Sequence, residues 1–108
     1  MKLVDWILQF AFEQSASDIH MEPRKDNGKV RFRIDGVLHT IYNMPSNTLT
    51  AVISRIKILG RLNVAEKRKP QDGRLKTRTP KGQETELRLS TLPTAFGEKL
   101  VMRIFDPD

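Results

Sequence analysis

Apolar residues recur along this chain in two rhythms. Over residues 2–16, Leu3, Ile7, Phe10 and Ala11 follow the helical period, with Val4 and Trp6 widening the stripe. This predicts an amphipathic helix closed by Ser15-Ala16-Ser17. The rhythm then shortens to two. Asp18-Ile19-His20-Met21-Glu22 reads as a short strand stopped by Pro23, and Asp26-Asn27-Gly28 as a tight turn. Residues 29–34 place Val30, Phe32 and Ile34 on one face, and Asp35-Gly36 is the strongest hairpin cue in the chain, leading to a strand over 37–42. Residues 18–42 are therefore expected to form three antiparallel strands.

The same alternation of rhythms follows once more. Pro45 and Ser46, within 43–47, make a break and offer a helix cap. The second helix is expected over 48–59, with Leu49, Val52, Ile53 and Ile56 on its stripe, Arg55 and Lys57 off it, and Gly60 in the usual C-terminal role. Residues 61–71 are basic and irregular, with Val64-Ala65 as a small apolar anchor. Leu75 and Thr77 alternate with Arg74, Lys76 and Arg78 in a half-exposed strand over 73–79, and Pro80-Lys81-Gly82 turns the chain into a last hairpin. The order is helix, three strands, helix, three strands. That is an α+β chain with two helices packed on a mainly antiparallel sheet.

The last hairpin carries the most chemistry. Leu87 and Leu89 alternate with Glu86, Arg88 and Ser90, and Leu100, Met102 and Ile104 alternate with Lys99, Val101 and Arg103. If Leu89 faces Met102 and Leu87 faces Ile104, both apolar rows share one face and Arg88 stands beside Arg103 on the other. Like charges directly opposed are unfavourable, so such a pair suggests an anion held between them. A slightly shifted register would leave both arginines solvated, and a loop containing Pro93 fixes register only weakly. Spacing alone leaves both readings open.

Composition narrows the class of protein. The 108 residues suffice for one domain with a modest core, and 38% hydrophobic with 30% charged residues is an ordinary globular balance. With no cysteine, disulfides and thiolate metal sites are excluded. No apolar run approaches the ~20 residues of a membrane helix, and Asp5 and Glu13 interrupt any signal-peptide pattern, so a cytoplasmic address is expected. Nineteen basic against thirteen acidic residues give a net charge of +6 and a pI near 10.0, which admits nucleic acid, an anionic surface, nucleotide phosphates or an acidic protein. Interleaved acids (Glu66, Asp72, Glu84, Glu86) and only 6% aromatics argue against a dedicated nucleic-acid groove.

Other clusters carry less. Asp18, His20 and Glu22 share one strand face, a carboxylate–imidazole–carboxylate spacing that can ligate a metal. One strand rarely supplies a complete ligand set, however, and a polar face meeting solvent or another domain is the plainer reading; no metal is assigned. The charged run Glu66 to Arg74 can grip phosphates or a neighbouring acidic surface, or be a solvated loop. There is no phosphate-cradling Gly-x-x-x-x-Gly-Lys-Ser/Thr, no nucleophile elbow and no helical His-x-x-x-His pair. Nothing here can run a reaction by itself.

Four segments, taken together and in order, resemble a known family. They are Ala16-Ser17-Asp18-Ile19-His20-Met21-Glu22-Pro23; Val30-Arg31-Phe32-Arg33-Ile34-Asp35-Gly36-Val37-Leu38; Ser54-Arg55-Ile56-Lys57 through Ala65-Glu66-Lys67-Arg68-Lys69-Pro70-Gln71-Asp72-Gly73-Arg74; and Leu89-Ser90-Thr91-Leu92-Pro93 followed by Gly97-Glu98 and Arg103. They look like the N-terminal, PAS-like module of the secretion ATPase superfamily, nearest to the type II secretion ATPase (GspE) and type IV pilus assembly ATPase (PilB) group. The resemblance implies that residues 1–108 are an N-terminal domain excised from a C-terminal RecA-like ATPase domain, stopping at Asp106-Pro107-Asp108, about where a linker would begin. It implies a hexamer that hydrolyses ATP with Mg²⁺ at the cytoplasmic side of the inner membrane, partnered by its own ATPase domain, neighbouring subunits and platform proteins of the secretion or pilus machine. By position in the motifs, Arg88 and Arg103 match the arginines that reach the ATP phosphates, and Arg68 and Arg74 fall in a segment expected at an interdomain contact. The isolated chain is then expected to be a monomer without ATPase activity, cofactor or specific nucleic-acid ligand. The competing reading is an autonomous basic module for nucleic acid or an anionic surface.

Overall fold

The computed structural model describes residues 2–105; the expected linker start, Asp106-Pro107-Asp108, lies outside the described residues. Two α-helices, α1 (Lys2–Glu13) and α2 (Ser46–Leu59), accompany six strands: β1 (Asp18–Pro23), β2 (Gly28–Ile34), β3 (Val37–Met44), β4 (Gln71–Arg78), β5 (Glu84–Thr94) and β6 (Gly97–Ile104). The expected order of elements holds. The strands form one antiparallel sheet in the order β3-β2-β1-β6-β5-β4. Its two three-strand halves are joined by the β1–β6 pair, which brings Asp18 opposite Arg103 across 85 residues of chain.

Alternation assigns the two faces. Ile19, Met21, Val30, Phe32, Leu75, Leu87, Leu89, Leu100 and Met102 point into one core with Val4, Ile7, Leu8 and Ala11 of α1 and Leu49, Val52, Ile53 and Ile56 of α2. Helix α2 lies across β2, β1 and β6, and α1 contacts α2. Both helices cover the same side of the sheet, so the polar residues of β1, β2, β4, β5 and β6 line an open face.

Turn chemistry explains the local boundaries. Asp35 and Gly36 both have positive φ, 51° and 80°, as a two-residue hairpin between paired Ile34 and Val37 requires. The last hairpin is tighter than expected, because pairing continues through Pro93–Glu98 to Thr94–Gly97. Only Ala95 and Phe96 are left to turn, and that fixes the register.

The helix ends depart from expectation. Pro45 occupies the N-cap position of α2 with no side-chain cap, and Ser46 already belongs to the helix. At the other end Gly60 has φ −87°, while Arg61 takes the left-handed conformation at 59°. The N–H groups of Arg61 and Leu62 donate to the carbonyls of Ile58 (3.1 Å) and Lys57 (2.8 Å), the paired bonds of a Schellman cap. Gly60 is needed for packing instead: a Cβ there would run into the Leu89 side chain.

Lys57 is the main departure in the core. Expected off the apolar stripe, it is buried at 1% exposure. Its Nζ donates to both carboxylate oxygens of Glu98 (2.8 and 3.0 Å) and to the Glu66 carbonyl (2.9 Å). Gln71 bonds the same loop, accepting from Asn63 N–H and donating to the carbonyls of Asn63 and Glu66. The irregular stretch 61–70 is thus tied to α2, β4 and β6.

Candidate functional site

The open face of the sheet carries one row of charge across five strands. Direct cross-strand partners run Arg33–Asp18, Asp18–Arg103, Arg103–Arg88 and Arg88–Arg74. The Arg88–Arg103 apposition expected from the hairpin is therefore present, in the register that pairs Leu89 with Met102 and Leu87 with Ile104. Arg74 joins it on the far side of Arg88. Arg68 does not: it sits exposed in the loop before β4, where its backbone N–H donates to Glu66 Oε1 at 2.8 Å.

The protein supports these guanidinium groups in different ways. Arg103 donates from Nε to Asp18 Oδ1 at 3.0 Å, while its side chain stays 69% exposed. Among the described residues its two Nη groups have no hydrogen-bond partner. Arg88 lies over the ring of Phe105, 4.7 Å from the centroid, a cation–π contact that spends no hydrogen-bond donor. Arg74 comes within 3.5 Å of Glu86, a loose and exposed pair. Three guanidinium groups thus stand in line with most of their donors outward. Guanidinium keeps its charge and offers a planar fork that matches carboxylate or phosphate oxygens.

Asp18 is the buried member of the row. Its other oxygen accepts from Ser17 Oγ at 3.0 Å and lies 3.4 Å from Arg33 Nε. Burial pushes its carboxyl up, but the hydrogen bonds from Arg103 and Ser17 and the Arg103 charge outweigh this and hold it below the usual range. Glu22 is treated alike: burial raises it, and the bonds from Arg24 (3.1 Å) and Arg31 (3.3 Å) bring it below its ordinary value. His20, between them, is pushed down by burial and by the Lys99 ammonium. Both carboxylates of the Asp18-His20-Glu22 strand face are thus engaged by arginines. Among the described residues no group of three His, Cys, Asp or Glu side chains is placed to hold a metal.

Sequence reading missed Arg33 and the use of Asp18 as an arginine acceptor. The parity of β1 put Asp18 on the correct face, but its partner is set by the β1–β6 pairing, for which the chain carries no local signal. A groove of about 580 Å³ lies at the edge of this region, between the end of α1, the β4–β5 turn and Phe105; none of the row arginines lines it.

An arginine row on the open face, with the motif segments on the strands that build it, accords with the comparison to known proteins. Residues 1–108 match the family model described as type II/IV secretion system protein. The chain belongs to that family. It is 92% identical over its whole length to the type IV pilus assembly ATPase TfpB of Acinetobacter baylyi, covering 18% of that protein. It is 52% identical over 98% of its length to the type II secretion system protein E of Xanthomonas campestris pv. campestris, covering 18%, and 53% identical over 95% to the type IV pilus assembly ATPase PilB of Thermus thermophilus, covering 12%. The chain thus spans less than a fifth of these curated relatives. Members of both the type II secretion and the type IV pilus branches carry this domain.

Proposed function

We propose that this chain serves as the non-catalytic N-terminal domain of a hexameric ATPase that powers type II secretion or type IV pilus assembly. In this reading Arg88 and Arg103 reach the phosphates of ATP bound with Mg²⁺ by an adjoining RecA-like domain. Arg74 stands beside them, and Arg68 and the 61–70 loop face the interdomain contact. The assembly works on the cytoplasmic side of the inner membrane against platform proteins of the machine. The observation that carries the reading is the Arg74–Arg88–Arg103 line on the open face. Three cations on neighbouring strands repel one another unless an anion lies over them, and among the described residues the local carboxylates, Asp18 and Glu86, leave the outward donors of Arg88 and Arg103 unspent. Phosphate oxygens fit that donor set, and cations so placed stabilise the charge of phosphoryl transfer.

The test is steady-state ATP turnover of the full-length protein. Arg88→Ala and Arg103→Ala should each lower it by about tenfold or more. The Lys variants should recover only part of it, because an ammonium lacks the bidentate fork. Arg55→Ala, exposed on the helix side of the sheet, should leave turnover unchanged. Arg88 and Arg103 variants that are folded, assembled and as active as the wild type would refute the proposal.

A further inference from the structure

We infer that Asp18 is a positioning residue that aims the Arg103 guanidinium outward, an inference that rests on the proposed role of Arg103. Geometry divides the work between the two carboxylate oxygens. Oδ2 is engaged by Ser17 Oγ at 3.0 Å and by Arg33 Nε at 3.4 Å, while Oδ1 accepts from Arg103 Nε at 3.0 Å. The carboxylate is thereby fixed on a central strand with 6% of its side chain exposed. By taking Nε rather than the Nη pair, it leaves the two-donor fork of Arg103 pointing away from the sheet.

Stability alone does not explain this arrangement. An ion pair whose arginine is 69% exposed is screened by water, so its contribution to folding is modest against the cost of burying a carboxylate. What the pair supplies is orientation. A free arginine samples many rotamers, and each must be given up when it grips an anion; an Nε anchor removes that freedom beforehand. The neighbouring Arg88 is held differently, by the Phe105 ring, and among the described residues no carboxylate pairs with it. The two cations therefore depend on separate anchors and can be perturbed separately.

Two measurements test this together. In the 108-residue chain, the Arg103 Nε–Hε resonance should be dispersed and slow to exchange with water. Asp18→Ala should collapse it onto the position of freely exposed arginines, and Asp18→Asn, which keeps an acceptor oxygen, should restore part of the shift. In the full-length protein, a double-mutant cycle on kcat/KM for ATP separates positioning from general support. Asp18→Ala should cost about tenfold with Arg103 present and less than about twofold with Arg103→Ala. An Arg103 Hε signal indifferent to Asp18→Ala overturns the inference whatever the turnover. So does an equal loss of kcat/KM in both backgrounds, or no loss at all. If the resonance behaves as expected but Arg103→Ala is fully active, the proposed phosphate contact is what fails, and the positioning role falls with it.

Discussion

Removing the Glu98 carboxylate should destabilise this domain more than any surface charge change. Lys57 and Glu98 are 1% and 7% exposed in their side chains, with Nζ 2.8 Å from Oε1. Breaking a buried pair by deleting one partner leaves the other charge uncompensated and costs about 3–5 kcal/mol. In Glu98→Ala the ammonium keeps the Glu66 carbonyl at 2.9 Å, which puts the expected loss near the lower bound, about 3 kcal/mol. At about 4 °C per kcal/mol for a domain of this size, Tm should fall by about 12 °C. The loop suffers as well, since Lys57 bridges to it: amide exchange over residues 63–68 should rise before global unfolding. Calorimetry and hydrogen exchange on wild type, Glu98→Ala, Lys57→Met and the double variant Lys57→Met/Glu98→Leu give the full set. The double variant should recover much of the loss, because an apolar pair needs no solvation. A loss under about 1 kcal/mol in Glu98→Ala would show that the pair behaves as a surface ion pair and would refute this reasoning.

Two further outcomes follow from the same structure. Asp18 and Glu22 are both held below their ordinary values, 3.8 and 4.5, so they bind fewer protons folded than unfolded; their stabilisation is present above those values and disappears as pH falls through the lower folded ones. Acid unfolding monitored by circular dichroism should steepen below about pH 4, and Asp18→Asn should flatten that limb; an unchanged profile would contradict the pairing. Gly60→Ala has no conformational penalty at φ −87°, yet its methyl meets Leu89 in the core, so urea unfolding should report a loss of about 1–3 kcal/mol from overpacking, and a neutral result would mean that α2 shifts freely.

The features legible in the sequence are those whose deciding contacts are local. In the hairpin of β5 and β6 alternation made the faces of Leu87, Leu89, Met102 and Ile104 legible, but not the register, which is set by pairing that continues through the Pro93 segment to Thr94–Gly97. The β2–β3 hairpin was legible from Asp35-Gly36 alone. The partner of Asp18 was not, because β1 meets β6 only after the whole second half has folded back. Lys57 was misplaced for the same reason: helical period puts a lysine outside, and only Glu98, 41 residues away, makes its burial tolerable. The end of α2 failed on a finer point, since glycine serves there as the residue without a side chain and Arg61 takes the strained conformation.

If Arg88 and Arg103 touch nucleotide phosphate as proposed, a structure of the full-length protein with a non-hydrolysable ATP analogue and Mg²⁺ will show it. Nitrogen atoms of both guanidinium groups should lie within about 2.7–2.9 Å of phosphate oxygens in the nucleotide-loaded subunits, with Arg103 still bonded through Nε to Asp18. Both guanidinium groups lying beyond hydrogen-bond reach of the phosphates in every loaded subunit would contradict it.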